Sequence, residues 1–521
     1  MNRLRLGLCA VLLLQAARMD AQVSEGNRLW EAGDFHAAAE AYRRELASDS
    51  TSVRSLYRLA VLASWDGKLD SALTLAARAR RYEPGDADVR LLEAQVLSWK
   101  GELAQSIVRY DSVIATDSSR LDAQVARAHV LAWASRFRDA NDGFRTVLAR
   151  DPGNPGALAG LGQVQAWQGH LDSAVVLYRS ALAADSTNAD AKVGLAQAHF
   201  WQGRTTLARR ELAPVLARDP ANHDAQVLDR GLRTAGRTFV GLEFGWNNDS
   251  DHNTSWWEAA TVTVPVTDQL SVFGTAGFQQ STNPVLSAHR ELGEAGFTLA
   301  SRPLTITAAA GARRLHPDGG GDRTEPSVRG ALTIRPTGGI VLGGGFTHHA
   351  FDETAQLIGG GLDVDELEGN LDLSVTHSTV VSVGGGRAWF SDTNRRYHVV
   401  AAATQQLPAH FFAGIYARQM GYNFAGTGYF SPGRFRIGEV RGGWVFESPV
   451  WAARIAGGLG AQEPFRGANT QVEWHAETVL ARKWGLGNQV GVFGGISNSL
   501  ERSVTGAYRF RTAGIRITIG L

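Results

Sequence analysis

Two carboxylates four residues apart, Glu473 and Glu477, offer the acid–base pair that cleaves glycosidic bonds, provided they face each other across a sugar. They sit in a segment that alternates. Gln471, Glu473, His475 and Glu477 take the odd positions, and Val472, Trp474, Ala476, Thr478 and Leu480 the even ones. Alternation of that kind predicts a strand, and four residues along a strand part the two carboxylates by roughly 13 Å, too far for a glycosidase pair. His348 and His349 are neighbours on another strand, point to opposite faces and share no metal. Gly384-Gly385-Gly386-Arg387 lacks the Lys-Ser/Thr that a phosphate loop needs. The chain carries neither a Gly-x-Ser-x-Gly elbow nor a His-Glu-x-x-His motif. It therefore reads as no enzyme, with no catalytic residue, no metal site and no cofactor.

Recognition chemistry is better supplied. Trp65, Trp99, Trp133, Trp167 and Trp201 each follow the last by 34 residues. One turn before four of them stand Gln95, His129, Gln163 and Gln197. Flat amphipathic rings stack on extended ligands, and the amides bond neutral hydroxyls. Trp flanked by Gln, without concentrated charge, is similar to a surface for sugars. The plainer alternative is that each Trp seals the packing between its helix and the next repeat; His129 reads as a polar substitute for Gln rather than a metal ligand.

A strict 34-residue period requires helical hairpins that bury their apolar faces only by stacking. Small residues (Ala60, Ala94, Ala128, Gly162, Ala196) precede each Trp by five, where two helices approach. Gly67, Gly101, Ser135, Gly169 and Gly203 follow it by two, at a helix stop. The second helix carries Ala72, Ser106, Ala140, Ala174 and Ala208, with Tyr110, Phe144 or Tyr178 four later. It closes on pairs such as Glu83-Pro84 and Asp151-Pro152. This pattern resembles the tetratricopeptide repeat, in about six copies from residue 23 to 222, with 223–235 as a capping helix. By that resemblance the Trp ladder lies near the end of each first helix, on the concave face that takes ligands. An earlier copy has Glu31 in register and Trp30 one place off.

Composition divides the chain. Residues 22–235 are rich in Ala, Leu, Arg and Asp; 236–521 are rich in Gly, Val, Thr and aromatics. Net charge is +1, which gives no global case for nucleic acid. In front, Arg3 and Arg5, the apolar run Leu6 to Leu14 and Met19-Asp20-Ala21 predict a signal peptide over 1–21. The only cysteine, Cys9, follows Leu8 rather than a small residue and lies within that run, so it is not read as a lipid anchor and the mature chain has no disulfide.

The second half predicts about sixteen strands joined by connections that alternate short and long, the pattern of an outer-membrane barrel. The fold class is thus an all-α tetratricopeptide solenoid over 22–235 followed by an antiparallel transmembrane β-barrel over 236–521. Trp246, Trp256, Trp257, Trp389, Trp444, Trp451, Trp474 and Trp484, near strand ends, are expected to form interfacial girdles. Glu366, Glu368, Asp372, Glu439, Arg441, Glu473, His475, Glu477 and Arg516 are the polar residues expected to face the lumen. A soluble all-β domain is the competing fold.

Repeats before a sixteen-strand barrel resemble the export proteins of bacterial exopolysaccharide systems, of the cellulose synthase operon outer-membrane subunit type, and the YaiO-type barrel family. Gly428-Tyr429-Phe430-Ser431-Pro432 is similar to a Tyr-Tyr-Ser-Pro stretch in the first. The resemblance implies an outer-membrane location with repeats in the periplasm, contact with outer-membrane lipid, and repeats that hold a polysaccharide or periplasmic protein partners. Its implied function is to export or guide an exopolysaccharide; the alternative is an anchored scaffold for protein partners whose barrel conducts nothing.

Overall fold

A computed structural model of the protein describes residues 24–521 apart from His377 and Ser503. The predicted signal segment lies outside them. The described chain packs as two compact units, residues up to Val164 with Ala183–Asp185, and Gln165–Leu182 with Ser186–Leu521.

The helices alternate as the repeat demands: α1 Glu25–Glu31, α2 Phe35–Ser48, α3 Val53–Trp65, α4 Leu69–Tyr82, α5 Ala87–Trp99, α6 Leu103–Thr116, α7 Leu121–Trp133, α8 Phe137–Arg150, α9 Pro155–Trp167, α10 Leu171–Ala184, α11 Ala189–Trp201, α12 Thr205–Arg218 and α13 His223–Ala235. Every ladder Trp is the last residue of a first helix. The small residues are buried as expected, Ala60, Ala72, Ala94, Ala140 and Ala196 among them. Phe144 fills the space left by a glycine of the next helix: a Cβ on Gly160 would stand 2.3 Å from its ring. The turn after each Trp holds a positive φ, met by glycine in four repeats and by Ser135, at φ 59°, in the third of the five. An L-residue there costs roughly 1 kcal/mol. Ser135→Gly is therefore expected to slow amide exchange across 128–140 by about fivefold, read by hydrogen-exchange mass spectrometry.

Sixteen strands follow: β1 Phe239–Asp249, β2 Thr254–Pro265, β3 Leu270–Thr282, β4 Ser287–Ser301, β5 Leu304–Pro317, β6 Arg323–Thr337, β7 Ile340–Ala350, β8 Asp363–Ser374, β9 Thr379–Phe390, β10 Arg395–Gln406, β11 Phe411–Tyr422, β12 Phe435–Glu447, β13 Trp451–Glu463, β14 Gln471–Trp484, β15 Asn488–Ser497 and β16 Phe510–Gly520. Each pairs with its sequence neighbours, and β16 closes on β1, with Gly520 opposite Phe239. An open sheet and a bladed propeller are thereby excluded, because all sixteen strands close into one barrel with no edge. Alternate residues face outward, so Val440, Leu459, Ile455 and Val472 lie well exposed on the barrel's apolar outer face.

Within the second unit, α12 starts at Arg204 without a side-chain cap of its own. Asp268, in the β2–β3 turn, supplies one: its carboxylate accepts from the Thr206 amide at 2.8 Å and from the hydroxyls of Thr205 and Thr206. The Gly338 amide of the β6–β7 turn donates to the Gln168 carbonyl at 3.0 Å. The last helices are thus tied to the short-turn end of the barrel.

Candidate functional site: the barrel lumen and its mouth

The inner wall follows from strand alternation. All nine residues expected in the lumen lie on the inward face, and most are paired there. Glu366 meets Arg396 at 2.6 Å, Glu477 meets Arg454 at 3.5 Å, and Arg516 meets Glu243 at 2.8 Å. Glu368 lies 3.8 Å from His398, and Asp372 accepts from Asn370 at 3.1 Å. Arg441 holds Glu439 and lies over the Tyr416 ring at 3.4 Å. Glu473 is bonded to His475 at 3.2 Å, not paired with Glu477. Thr333, Glu368, Asn370, Ser382 and His398, between glycines of β7 and β9, line a groove of about 440 Å³ in this wall.

One girdle assignment is corrected. Trp257 faces inward, where its indole N–H donates to Glu243 at 3.2 Å, because it is offset by one from the outward Trp256. The others divide by level. Trp246, Trp256, Trp389 and Trp474 lie toward the long-loop ends of their strands, and Trp444, Trp451 and Trp484 toward the short-turn ends.

The mouth on the long-loop side is filled by loops that sequence reading passed over. The β7–β8 connection turns inward and forms a short helix, α14 Ala355–Gly360, capped by Thr354 and packed on β3, β4 and β5. Asp352, only 1% exposed, receives Arg290 at 3.0 Å and Arg313 at 2.8 Å from the inner wall. On its other flank Phe351 meets Phe390 and Tyr429, with centroids 5.3 and 5.5 Å away. Tyr429 belongs to the β11–β12 loop; its hydroxyl donates to Asp392 at 3.0 Å and accepts from Asn394 at 2.8 Å. The β15–β16 loop joins them, the Phe430 amide donating to the Val504 carbonyl at 2.6 Å and Leu500 packing on Met420, Phe435 and Ile437. The Gly428-Tyr429-Phe430-Ser431-Pro432 stretch is thus part of this plug. Its readable signal was apolar Phe351, Leu357 and Ile358 in a connection that water would otherwise surround.

Glu353, next to the anchoring Asp352, reaches the water inside the barrel while the wall surrounds it. Poor solvation first, then the Asp352 carboxylate, push its carboxyl from 4.5 up to about 7. A raised carboxyl pKa means that the seated loop binds a proton which the released loop sheds. Seating therefore weakens as pH rises from about 4.5 to 7 and changes little above that. Amide exchange in 351–362, corrected for intrinsic rate, is expected to be faster at about pH 8 than at about pH 5.5, and Glu353→Gln should abolish the difference.

Among the repeats, the ladder rings are not core. Trp65, Trp99, Trp133 and Trp167 are 56, 44, 44 and 36% exposed, and Trp201 is half-buried. Gln95 is exposed; Gln163 and Gln197 are half-buried. His129 packs edge-on against Phe144, centroids 5.0 Å apart, and 6.2 Å from the Trp133 ring. Trp30, out of register in sequence, still brings its ring to 5.5 Å from that of Trp65.

Comparison with known proteins agrees on the repeats. Two tetratricopeptide-repeat family models match, one at residues 29–96 and 168–229, the other at 125–189. No curated protein matches in sequence. A bacterial polysaccharide outer membrane secretin is similar at 12% identity with a TM-score of 0.47, over 55% of this chain and 99% of its own. A tetratricopeptide repeat protein from Parabacteroides merdae is similar at 16% identity and TM-score 0.36, over 41% of this chain and 84% of its own. A thermophilic TPR protein of Thermus thermophilus is similar at 21% identity and TM-score 0.33, over 35% and 99%. The class is a repeat solenoid joined to a closed barrel. In particular, the chain carries tetratricopeptide repeats ahead of sixteen antiparallel strands.

Proposed function

We propose that the barrel sits in the outer membrane with the repeats in the periplasm, and that the protein guides an exopolysaccharide outward. The carrying observation is the pairing of an apolar outer face with a polar, mostly charge-paired inner wall. Such a wall can exchange hydrogen bonds with a passing polymer without holding it tightly, as conduction requires. Two levels of outward Trp fit a bilayer's two interfaces. The exposed ladder gives the repeats rings on which neutral sugars stack. The reading assigns no chemical reaction to the chain.

The loop-filled mouth favours a second reading, an anchored scaffold with a silent barrel whose repeats hold protein partners. Planar-bilayer recordings of the full-length protein separate the two. Export predicts openings that neutral oligosaccharides block; a barrel silent intact and after the β7–β8, β11–β12 and β15–β16 loops are all trimmed leaves only the scaffold.

A further inference from the structure

Glu439, Glu473 and His475 come from strands that are not neighbours. β13 runs between β12 and β14, and the register places Gly460 between Glu439 and Glu473, and Gly458 between Arg441 and His475. With no side chain on β13 at these two rows, the flanking side chains meet above it. A Cβ on Gly458 would stand 2.4 Å from His475 Cε1 and 2.5 Å from Glu439 Oε2. One ligand atom from each of Glu439, Glu473 and His475 lies within 4.8 Å of the other two, and all three residues are buried.

With both carboxylates ionised, mutual pairing does not satisfy this cluster. His475 Nδ1 is 3.1 Å from Glu439 Oε2 and 3.2 Å from Glu473 Oε1, yet that nitrogen carries at most one hydrogen. The bond goes to Glu473 Oε1. Glu439 Oε2 and Glu473 Oε2 are left buried without a hydrogen-bond donor, in side chains only 1% exposed. Buried acceptors of that kind call for a partner. Arg441 takes the other oxygen of Glu439 and fixes that carboxylate with Oε2 toward the imidazole.

We propose that Glu439, Glu473 and His475 bind one divalent transition-metal ion, zinc in the first instance, in the inner wall of the barrel. Bonds of roughly 2.0–2.2 Å to a tetrahedral ion put its ligands roughly 3.3–3.6 Å apart, a few tenths of an ångström beyond the nitrogen–oxygen separations of 3.1 and 3.2 Å present. Mixed imidazole and carboxylate donors suit zinc better than calcium, which takes six or more oxygens. Three protein ligands leave a fourth position for water. The ion would clasp β12 to β14 across a strand that offers no side chain at these two rows.

The test uses the full-length mature protein in detergent, stripped with chelator and titrated with zinc, then cobalt. Elemental analysis after desalting is expected to find one tightly held zinc per chain, and cobalt to give the visible bands of a four-coordinate site. Glu473→Gln and His475→Gln should each lose that ion, with heat-modifiable gel mobility confirming a folded barrel. Gly458→Ala, which removes no ligand, should weaken zinc by about a hundredfold, at the upper end of what disturbing a metal site's surroundings costs. Wild-type protein that retains no zinc, or variants that retain as much as wild type, would overturn the proposal. Should the variants not fold, the wild-type cobalt spectrum decides, and its absence counts against the site.

Discussion

Replacing residues 352–361 by a two-residue Asn-Gly turn is expected to turn a mostly closed barrel into a steadily conducting one. The graft is sterically mild, because the Phe351 amide already donates to the Leu362 carbonyl at 2.7 Å, so the two strand ends are paired where the new turn would begin. The change removes Asp352, α14 and the apolar contacts of Leu357 and Ile358, while the strand ladder stays whole. A closed barrel of sixteen strands encloses an aqueous channel when nothing fills it. A smaller change, Asp352→Ala, leaves Arg290 and Arg313 without their shared carboxylate. Breaking a buried pair from one side costs about 3–5 kcal/mol, enough to unseat the loop intermittently, so flickering openings are expected. Bilayer conductance reads both. If the trimmed barrel stays silent, the β11–β12 and β15–β16 loops alone close the mouth and the β7–β8 loop is no gate.

What the sequence made legible, and what it hid, divides on range of contact. The repeats were readable because a 34-residue period writes the same local contacts five times, Trp at a helix end and a small residue at a helix crossing. Inward and outward faces were readable because alternation along a strand is local as well. Trp257 was misassigned for the same reason in reverse: two adjacent Trp cannot share a face, and only the barrel tells which one looks in. Glu473 reads from the sequence beside Glu477, whereas its partner is His475 and its neighbour across a glycine of β13 is Glu439. The plug was invisible for a stronger reason. Phe351, Phe390, Tyr422 with Tyr429, and Val504 gather from four distant segments, and no periodic pattern joins them.

Replacing Trp99 and Trp133 together by Ala is expected to cut the binding of neutral oligosaccharides by about tenfold to a hundredfold and to leave the fold nearly untouched. The two halves of that expectation have separate causes. If a ring stacked on a sugar is worth what a ring stacked on a ring is, about 0.5–1.5 kcal/mol beyond the area covered, two losses multiply into one or two orders of magnitude. Stability responds to burial instead. A core Trp cut to Ala costs about 3–5 kcal/mol, whereas Trp99 and Trp133 are each 44% exposed at the last position of a first helix. The packing alternative makes the opposite pair of predictions, a marked fall in stability with sugar binding unchanged. Calorimetric titration with neutral oligosaccharides, read beside thermal unfolding of the same double variant, separates them. The rings are spaced by one repeat, so the loss should grow with the length of the oligosaccharide: a short sugar that spans a single ring would feel one substitution, and a longer chain both.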